Sequence, residues 1–365
     1  MTTAKTVTSP KKFIIGRDLL QNLGEYVKDF GTKALIIYDG FFEDKVNSVL
    51  IPTLKQHHVT TTLEKFSGEC TEKEINRLQE LATQHNIDVV IGLGGGKTLD
   101  TAKSTAYYHK SPVIICPTIA STDAPCTALS VIYKENGEFE RYLFLPQNPD
   151  AVIVDSTLIA QAPLRFFSAG IGDALATYFE ARACYQADGI NLVLQKPSRT
   201  GLGLAQMCYQ LLKENVAQAM DAVRNKVVTP ALENTLEATI YLSGVGAEAG
   251  GLAAAHAINN GMSIIEELHH VQHGEKVTFG LLVQLILENA PQDEIEDVIH
   301  IIKTAKLPLT LADFGITEFK PEQWYQVAKI ACAKDDTMGN MPKKVTVDEV
   351  YAAIVAANAL AERYK

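Results

Sequence analysis

The feature that most constrains the fold of this 365-residue chain is a change of texture near its middle. Before Asp155, short β-rich runs recur at 12–16, 34–39, 61–66, 89–94, 113–118, 129–133 and 151–155, with helix-like stretches such as 71–86 and 98–110 between several of them. Strands alternating with helices require a mostly parallel sheet covered on both faces, because every parallel pair needs a crossover. The segment 134–146 departs from this pattern and reads as a hairpin turning at Asn136-Gly137. After Asp155 the apolar spacing is helical in each extended segment. The expectation is an α/β domain over 1–161 followed by an all-helical domain over 162–365, with Pro163 interrupting the pattern between them.

Several function classes fall away on bulk properties. The net charge is −10, and the only basic doublets are Lys11-Lys12 and Lys343-Lys344, so no nucleic-acid or anionic-membrane surface is expected. No apolar run reaches the roughly 18 residues of a transmembrane helix. The N-terminal stretch is polar and lacks an apolar signal core. Six cysteines without a C-x-x-C pair read as reduced core thiols of a cytoplasmic protein.

The stretch Val89–Lys103 carries the first chemical signal: a strand-like run meets Gly94-Gly95-Gly96, and a helix-like run follows from Leu99. Glycines between strand and helix let backbone N–H groups and the helix N-terminus approach a phosphate. A Walker A loop fits poorly, since Ile91 stands where its first glycine belongs. A Rossmann fingerprint also fits poorly, since Lys97 replaces its third glycine. A dinucleotide on another kind of glycine loop, or a tight turn without a ligand, stays open. Asp39 ends a strand-like run, where an acid pairs with a ribose 2′-OH and repels a 2′-phosphate, or simply caps a helix. Thr118, Ser121, Thr122, Asp123 and Thr127 form a dense polar set after another strand, suited to phosphate, ribose or a polyol, or to a capped turn.

Metal ligands are not legible from spacing. His256 lies in a helix of small residues, His269, His270 and His273 cluster downstream, and Asp173 follows two glycines near what reads as a helix start. The gaps are long and no local zinc spacing exists.

Five motifs, at 94–103, 117–133, 169–181, 253–261 and 269–282, occur in one order and closely resemble the iron-containing (group III) alcohol dehydrogenase family, in its zinc-dependent glycerol dehydrogenase branch. The resemblance implies an N-terminal NAD-binding α/β domain like that of dehydroquinate synthase and a C-terminal helical metal-binding domain. It implies that Asp39 meets the adenosine ribose, that Gly94, Gly95, Gly96 and Lys97 hold the pyrophosphate with Asp100 nearby, and that Thr118, Ser121, Thr127, Leu129 and Tyr133 line the rest of the NAD site. It implies one Zn2+ per subunit on Asp173, His256 and His273, substrate contacts from these three and Asp123, and a homo-oligomer, often an octamer. Two positions depart from the iron enzymes: Thr177 and Asn260 stand where those carry further histidines, leaving three ligands and an open position, the pattern of a catalytic zinc site.

The implied reaction is oxidation of glycerol, or of a small diol such as 1,2-propanediol, to the ketone. Elimination of phosphate, as in dehydroquinate synthase, would need converging Lys and Arg, and none occurs from Ala247 to Glu275. The same absence argues against a glycerol 1-phosphate substrate. A non-catalytic NAD-binding regulator is disfavoured by the complete Asp-His-His set.

Overall fold

The computed structural model describes residues 2–365. Six strands, β1 (Lys12–Gly16), β2 (Lys33–Tyr38), β3 (Thr60–Lys65), β4 (Val89–Gly94), β5 (Val113–Pro117) and β8 (Ala151–Asp155), form one sheet in the order β1-β8-β5-β4-β2-β3. Every pairing in it is parallel. Strands β4, β5 and β8 are buried along their whole length, which is why they are continuous apolar runs rather than alternating ones. The remaining strands, β6 (Leu129–Tyr133) and β7 (Phe139–Phe144), make the expected antiparallel hairpin apart from the sheet. Gly137 in its turn takes φ +83°, a conformation open to glycine at little cost.

Two helices matter on the sheet side. Helix α1 (Glu72–Gln84) is capped by the Thr71 hydroxyl, which accepts from the Glu74 N–H. Helix α2 (Gly96–His109) begins three residues before the expected start at Leu99. Apolar periodicity marks only a helix's buried face, and the first turn of α2 faces a cavity instead.

After β8 the chain is helical, and its helices include α3 (Leu164–Gln186), α4 (Arg199–Arg224), α5 (Ser243–Gly250), α6 (Ala254–Gly261) and α7 (His273–Glu288), followed by others as far as Arg363. The sheet separates two apolar cores. One face, with Ala34, Ile36, Val89, Ile91, Ile114 and Ile153, packs on the N-terminal helices. The other, with Leu35, Ile37, Val90, Ile115, Val152 and Val154, is continuous with the core of the helical region. Among the described residues, no helix is long and apolar enough to cross a membrane.

Candidate active site

The strand order fixes one site. From β2 the chain moves outward to β3, whereas from β4 it moves the other way to β5. Ligands of open α/β sheets sit outside the carboxyl ends of strands at such a reversal. A cavity of about 630 Å³ lies there, lined in part by Asp39, Phe41, Lys65, Gly95, Gly96 and Lys97. The glycines are required for different reasons. A Cβ on Gly92 would come within 2.7 Å of the Ala102 Cβ, so this glycine seats α2 on β4. A Cβ on Gly96 would meet nothing within 4 Å and would project into open space. Gly95 is the N-cap of α2 and no side chain caps that end, so its first N–H groups are available to an anion. Lys97 pairs with Glu69 at 2.6 Å and lies over the Tyr133 ring at 4.6 Å.

The other residues that the resemblance assigns to NAD are spread more widely. The Asp39 carboxylate accepts from the Phe41 N–H at 3.1 Å, and its own N–H donates to Leu93, tying the ends of β2 and β4. Thr118 is buried and donates its N–H to Gly94. Ser121 and Leu129 are half-buried, and the Thr127 hydroxyl donates to Ala124. Asp100 is buried, ion-paired with Lys103 at 2.9 Å and accepting from the Val131 N–H at 2.9 Å. The fully buried Lys103 ammonium also donates to the carbonyls of Ala124 (3.0 Å) and Leu129. This lysine, which closes the glycine motif, staples the polar 118–129 loop from beneath.

That loop leads to the second site, where close backbone approach does the assembling. Gly170 of α3 admits the carbonyl of Ala120, which would sit 2.0 Å from any Cβ there. Gly274 at the start of α7 admits the carbonyl of Ala169 at 1.9 Å from its virtual Cβ. The glycines around Asp173 are therefore contact points inside a long helix. Asp173 lies mid-helix, correcting the expectation of a helix start, which rested on glycine as a breaker.

Asp173, His256 and His273 converge so that one ligand atom from each lies within 4.8 Å of the others. Asp173 Oδ1 is 3.3 Å from His273 Nε2 and 3.6 Å from His256 Nε2. Tetrahedral bonds of about 2.0–2.1 Å place ligand atoms roughly 3.3–3.4 Å apart, so the spacing suits a metal ion. Asp173 Oδ1 is also buried with no hydrogen-bond partner among the described residues, an arrangement a cation would satisfy. Burial opposes its charge, but the two imidazoles, His273 foremost, hold Asp173 below the ordinary carboxylate range. His256 is likewise opposed by burial, yet Glu180 and Asp173 raise it well above the ordinary imidazole value. His270, a neighbour in sequence, is exposed and takes no part.

Asp123 adjoins this centre. Its N–H donates to Asp173 Oδ2 at 3.2 Å, and its Oδ2 accepts from the Ser243 hydroxyl at 2.8 Å. Ser243 Oγ is in turn 2.8 Å from Thr177 Oγ1. Burial, with Asp173 beside it, pushes the Asp123 carboxyl up to about 7. Thr177 and Asn260, at the positions of the absent histidines, have other partners: Thr177 bonds Ser243, and Asn260 donates to Asp336 at 3.1 Å. Two contributing residues escaped sequence reasoning. Ser243 sits among small residues and gives no signal. Glu180, fully buried, is 2.5 Å from His256 Nδ1, and an acid two turns after Asp173 on an apolar helix was the clue to it.

The sequence pattern of the iron-containing alcohol dehydrogenases matches residues 10–156. The glycerol dehydrogenase of Pseudomonas putida is 48% identical over 360 residues, 99% of either chain. Among solved structures, a probable glycerol dehydrogenase from Sinorhizobium meliloti 1021 is 40% identical with a TM-score of 0.92, covering 99% of this chain and 100% of that one. The glycerol dehydrogenase of Schizosaccharomyces pombe is 35% identical with a TM-score of 0.94, covering 100% of this chain and 92% of that one. The chain belongs to the iron-containing alcohol dehydrogenase family, in the branch of the glycerol dehydrogenases.

Proposed function

We propose that the protein oxidises glycerol to dihydroxyacetone, reversibly, with NAD as hydride acceptor and one zinc ion per subunit, and that it accepts other small vicinal diols such as 1,2-propanediol. The observation that carries the reading is the buried, unpartnered Asp173 oxygen facing two imidazole nitrogens. Asp173, His256 and His273 would hold the metal, and three protein ligands leave a position for substrate. Bound there, zinc supplies Lewis acidity that makes an alcohol oxygen easier to deprotonate, while NAD accepts the hydride.

The chain's own residues do the rest. Asp123, held from one side by Ser243, is placed to hydrogen-bond a second hydroxyl of a diol. His273 is half-exposed and gives the centre an opening to solvent. The α2 N-terminus and Lys97 would take the pyrophosphate, and Asp39 the adenosine ribose, favouring NAD over NADP. Thr118, Ser121, Thr127, Leu129 and Tyr133 would line the path from the glycine turn toward the metal, with Asp100 supporting them through Lys103. Arg165, the arginine that reaches the segment before α7, is engaged by Glu275 at 2.8 and 2.9 Å, which leaves it poorly placed for a substrate phosphate.

The test is NADH formation from NAD+ and glycerol by chelator-treated protein before and after zinc addition. Zinc-restored activity is expected. A folded, zinc-loaded protein inert toward glycerol and 1,2-propanediol would overturn the reading. A homo-oligomer, an octamer by family resemblance, is part of the proposal, and light scattering measures it.

A further inference from the structure

Glu180 is the residue on which this inference turns, and it rests on the metal reading above. Its carboxylate is fully buried yet completely engaged. Oε1 accepts from the N–H groups of Ala253 and His256, each at 2.9 Å, and Oε2 faces His256 Nδ1 at 2.5 Å. Ala253 is the N-cap of α6 and has no capping side chain. Glu180 therefore supplies from α3 the acceptor that an N-cap Ser or Asp would ordinarily provide. Asp173 lies two turns earlier on the same helix, so one helix face carries both a ligand and the group that holds the next ligand.

A carboxylate offers only acceptors, so the His256 Nδ1 beside it carries a hydrogen. In the neutral ring that a metal ion requires, this leaves the lone pair on Nε2, the nitrogen 3.6 Å from Asp173 Oδ1. We infer that Glu180 is a positioning residue for the metal centre, fixing the tautomer and orientation of His256 so that Nε2 is the ligating atom, and setting the end of α6 at the same time. Hydrogen-bonded carboxylates behind ligating histidines orient the ring and raise its basicity, and their loss typically weakens metal binding 10–100-fold.

Glu180→Gln separates this role from helix capping. The amide retains an oxygen for the Ala253 and His256 N–H groups but presents an NH2 to Nδ1. The ring must then accept at Nδ1 and carry its hydrogen on Nε2, where it cannot bind metal. Zinc affinity, measured by chelator competition, is expected to fall about 10–100-fold. NAD affinity should stay near wild type and the metal-free protein should remain folded, with its thermal transition lowered by the loss of the buried Glu180–His256 ion pair. A folded Glu180→Gln protein binding zinc within about threefold of wild type would overturn the inference and leave the proposed reaction standing. Absence of zinc binding in the wild-type arm would overturn both. A variant-free measurement covers a Glu180→Gln protein that does not fold. Wild type loaded with Co2+ should show a slowly exchanging, paramagnetically shifted imidazole N–H from His256, shielded where the half-exposed His273 is not. Only fast-exchanging signals of that kind would overturn the assignment.

Discussion

The two halves of the candidate active site are made of different material. The side proposed for the nucleotide is mostly backbone: strand ends, a glycine turn and an uncapped helix N-terminus around an open cavity. The metal side is made of side chains from three helices, with Asp173 Oδ1 at 3.3 and 3.6 Å from the two imidazole Nε2 atoms and His256 Nδ1 held at 2.5 Å by Glu180. A backbone site of this kind is encoded largely in one short stretch of sequence. A side-chain site exists only once Gly170 and Gly274 have let the 118–129 loop, α3 and α7 come together.

The largest effect expected from this contrast is on the metal side. His273→Ala should lower zinc-dependent turnover by more than about 100-fold, beyond what outer-shell changes cause, with NAD affinity retained. Metal analysis together with calorimetric NAD titration checks it, and near-normal turnover in a verified metal-free protein would break the comparison. His256→Ala should lose turnover similarly and stability as well, because Glu180 Oε2 is left buried without a partner.

Lys103→Met tests the staple between the two halves. It leaves Asp100 as an uncompensated buried charge and should cost about 3–5 kcal/mol in urea unfolding. A loss below about 1 kcal/mol would mean the loop is held by other contacts.

Gly96→Ala sharpens the nucleotide side with opposite changes in two observables. No atom lies within 4 Å of the new methyl group and the backbone φ is not positive, so folding stability should hold or rise by about 0.4–1 kcal/mol. The methyl group points into the cavity, so NAD affinity should fall about tenfold, or roughly 1.4 kcal/mol. Unchanged affinity would remove Gly96 from the pyrophosphate contact.

The smallest effect is chemical. Five of the six cysteines are buried and Cys332 is partly exposed. Burial raises the Cys332 thiol and pushes Cys70 and Cys184 up to about 12. The native protein should therefore consume one equivalent of an aromatic disulfide reagent quickly at pH 8, Cys332 forming the mixed disulfide and expelling one aromatic thiolate. Several fast equivalents would show that the core opens.

The same contrast explains what could be read from the sequence. The strands were legible because a parallel strand buried on both faces is an apolar run, and the hairpin because Asn136-Gly137 is local turn chemistry. The glycine turn was legible as a strand-to-helix junction for the same local reason. The metal ligands were not, because Asp173, His256 and His273 lie on separate helices with no short spacing, and only the family resemblance joined them. The role of Asp173 was misplaced locally because glycine marks both helix ends and close helix contacts, and one sequence does not distinguish them. Ser243 and Glu180 were missed because what they do is defined by partners far away in the chain.

The continuity of one sheet face with the helical core sets a limit on modularity. Leu35, Ile37, Val90, Val152 and Val154 belong to the same apolar cluster as Phe167, Phe179 and Leu212. A fragment ending near Gln161 would leave that face bare, a water-exposed apolar sheet prone to self-association. The N-terminal region is therefore no detachable cassette: a chimera carrying another enzyme's helical half would have to reproduce this buried relief before it could inherit the nucleotide site.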